Sequence, residues 1–141
     1  MNCLISAGPT REWIDPVRFL SNPSSGKMGY ALAKAALDYG MRVTLISGPT
    51  SLTPPQGAEL FSVETALEME EKMNQFFPDS DVIIMSAAVS DHRPKTYSPT
   101  KQKKQELPGM LELVKNPDIL KNLGAKKQKG QTLVGFAAET E

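Results

Sequence analysis

Residues 21–30, SNPSSGKMGY, decide the reading of this chain. They set Asn22, three serines and two glycines immediately ahead of an amphipathic run, the order of a loop feeding a helix N-terminus. Ser24 and Ser25 are natural N-caps, and the first free backbone N–H groups of the helix would point back into the loop. Gly26 and Gly29 remove side chains where a ligand, or a neighbouring strand, must come close. The stretch reads as an anion seat for phosphate or carboxylate, with an ordinarily capped helix end as the plainer alternative. Two phosphate motifs are excluded. GxxxxGK followed by Ser or Thr would need Gly at position 21, where Ser21 stands, and a hydroxyl at position 28, where Met28 stands; GxGxxG is absent.

Working downstream, Met28, Ala31, Leu32, Ala35 and Ala36 recur at helical spacing, and Gly40 supplies a stop. RVTLIS (42–47) predicts a strand, a Pro-rich loop follows, and residues 59–63 predict a shorter strand. Thr65 with Glu68 forms a capping box for a helix whose apolar face carries Ala66, Met69, Met73 and Phe76. DVIIMSAA (81–88) is the most apolar strand and the expected centre of the sheet, ending in small residues that leave room for something flat. A long loop with Asp91, His92, Arg93, Lys95, Lys101, Lys103 and Lys104 comes next. Residues 110–114 suggest a short strand, Asn116-Pro117 a capped helix start, and QTLVGFAA (131–138) a last strand.

Upstream, MNCLISA (1–7) is a buried strand stopped by Gly8-Pro9. The connection from there to the helix is too long for an ordinary βα loop and reads as functional. Its apolar Trp13, Ile14, Phe19 and Leu20 are expected to pin it to the body while polar members face a cleft. Arg11 and Arg18 suit either a phosphate or pairing with Glu12 and Asp15. Strands alternating with helices predict a Rossmann-like α/β fold, a doubly wound, mainly parallel sheet with helices on both faces. Ligands bind such sheets at the carboxyl ends of the strands, here Gly8 to Thr10, Ser86 to Ala88, and Gly135-Phe136.

Composition bounds the function. The 141 residues form a single domain, 1–141, with 16 basic residues against 16 acidic ones, which suggests neither a nucleic-acid groove nor a membrane face. One cysteine, Cys3, forbids an intrachain disulfide, suits a reducing cytoplasm, and in an apolar strand reads as an inert thiol. No apolar run reaches transmembrane length, and the N-terminus enters a strand directly, with no signal peptide.

SAGPTRE, DPVRFLSNPSSGKMG, SAAVSD, the KQKK tetrad, VKNPDIL and VGFAAET together resemble phosphopantothenoylcysteine synthetase, the phosphopantothenate–cysteine ligase of bacterial coenzyme A biosynthesis. The blocks keep the family's order along nearly the whole chain. The resemblance implies a ligase that joins 4′-phosphopantothenate to L-cysteine using CTP and Mg2+ through an acyl-cytidylate, acting as a cytoplasmic homodimer. Starting at Met1, the chain looks like the stand-alone type. It stops at Glu141, inside a block beyond which family members continue, so a C-terminal part is expected to be missing.

By that resemblance, Lys101 contacts the nucleotide phosphates and Asn22 holds the intermediate for attack by cysteine; Lys103 and Lys104 read as solvated charges. Ser24 belongs to the seat. Met85, Ser86, Ala87, Ala88 and Asp91 match the nucleotide site, as do Pro117, Asp118, Ile119, Leu120 and Phe136, with helix N–H groups for phosphate and Phe136 for the base. No metal ligand is assigned; magnesium would ride on the triphosphate. His92 departs from an aromatic residue common in the family. The competing readings are an NAD(P)-dependent oxidoreductase, disfavoured by the missing GxGxxG, and a non-catalytic nucleotide-binding fragment.

Overall fold

The computed structural model describes residues 1–106 and 109–140. Its centre is a five-stranded parallel sheet built from β1 (Asn2–Ala7), β4 (Arg42–Ser47), β5 (Glu59–Ser62), β6 (Val82–Met85) and β9 (Thr132–Gly135), in the order β5-β4-β1-β6-β9. The first strand of the chain is therefore the middle one, and β6 flanks it, a correction to the expectation that the most apolar strand is central. β1 is buried on both faces because chain order starts in the middle and winds outward both ways.

Alternation along β1 feeds two cores. Leu4 packs with Ile46, Ile83, Met85, Met69, Met73, Ile119 and Leu123, beneath helices α2 (Ala66–Phe76) and α3 (Ile119–Lys126). Cys3, Ile5 and Ala7 face the other way, with Val43 and Leu45, beneath α1 (Lys27–Asp38). Helices thus cover both faces, as expected. Each fully buried Leu or Ile contributes about 1.5–3 kcal/mol. Cys3 is buried and burial pushes its thiol pKa up, in keeping with an inert role.

The apolar stripe expected on α1 is displaced. Gly29, Tyr30, Ala33 and Ala36 are buried, while Met28 is 58 % exposed and Ala31 and Ala35 face solvent. The reason is steric. A Cβ on Gly29 would collide with the Ala7 side chain, so the helix lies against β1 along its smallest face, not its greasiest. Tyr30 joins that face because its hydroxyl reaches Ser47 Oγ at 3.1 Å.

Both long loops contain antiparallel ribbons that periodicity did not reveal: β2 (Arg11–Trp13) with β3 (Phe19–Ser21), and β7 (His92–Pro94) with β8 (Leu113–Lys115). Strands of three residues are too short to show alternation. The strand expected at 110–114 accordingly shifts to β8 and pairs outside the main sheet, and the last strand ends at Gly135 instead of running to Ala138. The capping box at Thr65 forms: Thr65 Oγ1 accepts from Glu68 N at 3.2 Å, and Glu68 Oε2 accepts from Glu64 N at 2.7 Å. Gly40, at φ 80°, stops α1.

The two glycines of close approach differ in what they touch. Gly29→Ala should cost about 1–3 kcal/mol from overpacking, partly offset by about 1 kcal/mol of helix propensity, for a melting temperature a few degrees lower. Gly124→Ala, where a Cβ would sit 3.8 Å from Leu133, should leave stability unchanged or raise it by up to about 1 kcal/mol. Thermal denaturation of the two variants side by side checks this ordering.

Candidate active site

The carboxyl edge of the sheet is organised by backbone passing over backbone. Gly8 (φ 73°) ends β1, and a Cβ there would lie 3.1 Å from Gly48 O; a Cβ on Gly48, just past β4, would overlap the Pro9 carbonyl. Gly26 (φ 77°) opens α1, and its Cβ would lie 3.5 Å from Gly8 Cα and 3.3 Å from Thr50 Cγ2. Three glycine turns thus meet backbone to backbone at the N-terminus of α1, with the Thr50 methyl at their margin. Gly26, in the left-handed conformation, is the residue preceding the helix, and no side chain caps it. Ser24 and Ser25 were expected as caps; their hydroxyls accept only long bonds of 3.4 Å, from Gly26 N and Lys27 N. The left-handed turn at Gly26 aims the chain so that neither serine reaches the second or third helical N–H. The first turn of α1 is left with donors free for an anion.

Next to this seat runs the end of β6. Ser86 N donates to Ser6 O at 3.2 Å, Ala87 N to Ser6 Oγ at 3.2 Å, and Ala88 N to Gly8 O at 2.9 Å, which holds 86–88 flat against β1 beyond the last ladder pair. Ser6 Oγ in turn donates to Met85 Sδ at 3.6 Å. Pro9 and Ala88 form an isolated parallel bridge, and Ser90 N donates to Thr10 Oγ1 at 2.9 Å. Across β6, Leu120 lies over Gly135, where a Cβ would collide with its methyls, and Phe136 is 54 % exposed just past β9. Met85 to Ala88, Leu120 and Phe136 therefore lie along one sheet edge, with the Met85 side chain buried in the core.

Asn116 and Pro117 do not open a helix. Asn116 is consumed in bracing: its Nδ2 donates to Ser90 O at 2.8 Å, its Oδ1 accepts from Arg93 at 3.0 Å, and its N–H donates to Asp91 O at 2.8 Å. The helix starts at Ile119, capped by Asp118, whose Oδ1 accepts from Lys121 N at 3.0 Å. Ile119 is buried in the core, so of the 117–120 block only Leu120 and Asp118 face outward. An aspartate cap places negative charge where phosphate was expected, which removes this helix end as the phosphate donor. The Asp91 side chain is exposed at the start of the second loop.

The hairpin β2–β3 is pinned by buried polar groups, reversing the expected division of labour. Thr10 and Asp15 are fully buried and Glu12 is 2 % exposed, while Phe19 is 39 % exposed. Glu12 Oε1 accepts from Ala66 N at 2.9 Å, and Ser21 Oγ donates to Thr10 O at 2.7 Å. Arg11 stacks on Phe19, 4.7 Å from the ring centroid, so it pairs with neither carboxylate. Arg18 pairs with Asp15, Nε to Oδ2 at 3.0 Å, and also donates to Gln102 O at 2.8 Å. Asn22, on the far side of β3, donates its Nδ2 to Val89 O at 3.4 Å. The two ends of one three-residue strand thus touch the loop after β6 and the lysine loop. Arg18 and Asn22 are at most about 14 Å apart along an extended chain.

Two grooves flank this hairpin. One, of about 670 Å3, is lined by Glu12, Trp13, Arg93, Lys95 and Tyr97, but its charged groups are spent: Lys95 on Glu112, Arg93 on Lys115 O and Asn116, Glu12 on Ala66 N. The other, of about 550 Å3, is lined by Val17, Arg18 and Lys101 to Lys104, and its lysines are exposed. The smaller groove is the one with cationic charge to offer a ligand. Among the described residues, no group of three His, Cys, Asp or Glu side chains could hold a metal ion, and no helix is long and apolar enough to cross a membrane. Asp15 is the residue that spacing alone could not rank; the signal present was an Asp three residues ahead of an Arg within a turn-rich loop.

A parallel sheet wound outward from β1, with a polar, glycine-floored edge at its strand ends, defines a Rossmann-like α/β domain. The chain belongs to the family of the DNA/pantothenate metabolism flavoprotein C-terminal domain, whose model matches residues 1–141. It is 56 % identical over 139 residues to the coenzyme A biosynthesis bifunctional protein CoaBC of Bacillus subtilis, covering 98 % of this chain and 34 % of that protein. The CoaBC of Escherichia coli K12 is 49 % identical over 143 residues, covering 99 % and 35 %. The crystal structure of a CoaBC C-terminal domain superimposes with a TM-score of 0.86 at 49 % identity, over 99 % of this chain and 65 % of that one. The chain spans about a third of the curated relatives it matches.

Burial opposes ionisation of Asp15, but the N–H groups of Val17 and Arg18 (2.8 and 2.7 Å) and the Arg18 guanidinium outweigh it and hold the carboxyl below its ordinary 3.8. A folded-state pKa below the unfolded one stabilises the protein fully above about pH 5, and that contribution disappears as pH falls through the folded value. The stability difference between wild type and Asp15→Asn should therefore be constant above about pH 5 and shrink below about pH 4. Urea midpoints measured across that range check it.

Proposed function

We propose that the chain supplies the synthetase site of a ligase that joins 4′-phosphopantothenate to L-cysteine with CTP. The observation that carries this reading is a glycine-floored helix start beside the flat 86–88 edge, in a chain 56 % identical to the Bacillus subtilis CoaBC over 139 residues; a lysine-lined groove that includes Arg18, four residues ahead of Asn22, adds the cations. Activation of a carboxylate on the α-phosphate crowds negative charge, so it calls for cations and preorganised donors in one place.

The substrate carboxylate attacks the α-phosphate of CTP, forming the acyl-cytidylate and releasing pyrophosphate. Lys101 neutralises the developing phosphate charge, and the open first turn of α1 offers N–H donors. The cytidine lies along Met85 to Ala88, with Phe136 against the base and Leu120 and Asp91 at its margins. Cysteine's amine then attacks the acyl carbon and expels CMP, while the Asn22 amide orients the intermediate without adding charge. Magnesium would arrive on the triphosphate and screen its oxygens. A cytoplasmic homodimer belongs to the same reading, and exposed Val17, Phe19, Tyr97, Leu111 and Leu113 on the two ribbons suit a partner copy.

In the full-length protein, CTP should raise the melting temperature and NAD should not; the reverse result would favour the oxidoreductase reading. Lys101→Gln should reduce pyrophosphate release roughly a thousandfold with the fold intact, whereas Lys103→Gln and Lys104→Gln should stay near wild type. Equal losses from all three would replace a specific contact with a diffuse basic patch. Asn22→Asp should still release pyrophosphate yet fail to deliver product to cysteine, because an acceptor-only carboxylate replaces the amide donor. Single-turnover product analysis with and without cysteine reads that split, and normal product formation would remove Asn22 from the second step.

A further inference from the structure

The lysine loop is tied to the β2–β3 hairpin at two points that bracket Lys101. Ser98 N donates to Ile14 O at 2.9 Å, and Arg18 donates to Gln102 O at 2.8 Å. Lys101 lies between these anchors, whereas Lys103 and Lys104 lie beyond them, leading into a turn at 104–106. The second anchor is a side chain, and it is aimed by another. Asp15 is fully buried; its Oδ1 accepts from Val17 N and Arg18 N, closing the turn, and its Oδ2 accepts from Arg18 Nε. A guanidinium held along one edge by a buried carboxylate points its remaining donors in a set direction. That direction is the Gln102 carbonyl. Arg18 and Lys101 also line the same groove.

We infer that Asp15 and Arg18 are positioning residues for Lys101: the buried carboxylate aims Arg18 at the Gln102 carbonyl and so holds the lysine loop over the phosphate side of the site. The inference rests on the ligase reading for its catalytic consequence, but not for the strut itself. A lysine on a loop of exposed residues would otherwise spend its time dispersed in solvent, and its charge would have to be gathered in at every turnover. The strut restricts that loop beforehand. Lys101 lies between the two anchors on the hairpin, whereas Lys103 is held within its own turn, where its carbonyl accepts from Glu106 N at 2.9 Å.

Arg18→Gln removes the strut while leaving the Asp15 turn with its two backbone donors. Asp15→Asn keeps an acceptor for those donors but sets an amide N–H2 against Arg18 Nε. Limited tryptic digestion of the full-length protein, without nucleotide, reads the loop directly. Cleavage after Lys101, Lys103 and Lys104 should be about tenfold faster in both variants, with cleavage after Lys34 in α1 unchanged. On the ligase reading, both variants should also raise the KM for CTP in pyrophosphate release more than they lower kcat, a split that simple loss of folded protein would not give. Wild-type cleavage rates in the loop for both variants would overturn the strut, whatever happens to activity. Faster loop cleavage with an unchanged KM for CTP would overturn its catalytic role. If the wild-type protein itself released no pyrophosphate, the ligase reading would fall while the digestion still decided the strut.

Discussion

The functional edge depends on backbone meeting backbone where β1, β4 and α1 cross: a Cβ is excluded at Gly48 and tight at Gly8, and at Gly26 the left-handed φ is what calls for glycine. Gly48 is in contact with the Pro9 carbonyl, Gly8 with Gly48, and Gly26 with Gly8, so three turns stack backbone on backbone. Positive φ at Gly8 and Gly26 turns the chain sharply enough to keep that stack short. The result is an open floor at the start of α1. A side chain at Gly48 would collide with the Pro9 carbonyl, and one at Gly29 would push the helix away from Ala7 and with it the first-turn N–H groups.

A second constraint acts on the loop that connects this floor to the rest of the site. Its polar residues are buried, and buried polar groups persist only when satisfied. Thr10, Glu12 and Asp15 each hold a backbone N–H of a different segment: Ser90 in the second loop, Ala66 at the start of α2, and Val17 with Arg18 in the hairpin turn. Among the described residues, no buried side-chain nitrogen or oxygen lacks a partner. Such networks specify one arrangement more sharply than apolar contacts, because a shift of about an ångström leaves a donor or acceptor stranded. The cleft is thereby framed by loops held in register, and the freedom left at its rim belongs to exposed groups such as Asn22, Asp91, Lys101 and Phe136.

Much of this was legible from residues alone, and the misses have one cause. β4, the Thr65 box and the stop at Gly40 depend on neighbours in sequence, and all three stand. α1 was read by hydropathy, but the face it buries was chosen by the clearance over Ala7, a residue 22 positions away. Asn116-Pro117 has the local form of a helix start; Asn116 is instead taken by Ser90 and Arg93, and the cap falls to Asp118. Trp13 and Phe19 suggested an apolar anchor, yet they meet edge to face on the hairpin, with ring centroids 4.9 Å apart, and the Trp13 indole N–H donates to Glu64 Oε2 at 2.7 Å. Where several local solutions were open, long-range partners selected among them.

The sequence by itself determined the alternation of strands and helices, hence a mainly parallel sheet and the meeting of Gly8 to Thr10, Ser86 to Ala88 and Phe136 at its carboxyl edge, whereas the central place of β1 came only with the fold. These follow from periodicity, capping and the handedness of βαβ connections, which act over a few residues or by general rule. The tertiary structure alone decided that Asp15 rather than Glu12 takes Arg18, that Arg18 reaches across to Gln102, and that Asn22 touches Val89. Such choices join residues up to 84 positions apart, and no local spacing encodes which of several equally polar partners will be within hydrogen-bond reach once the chain has folded.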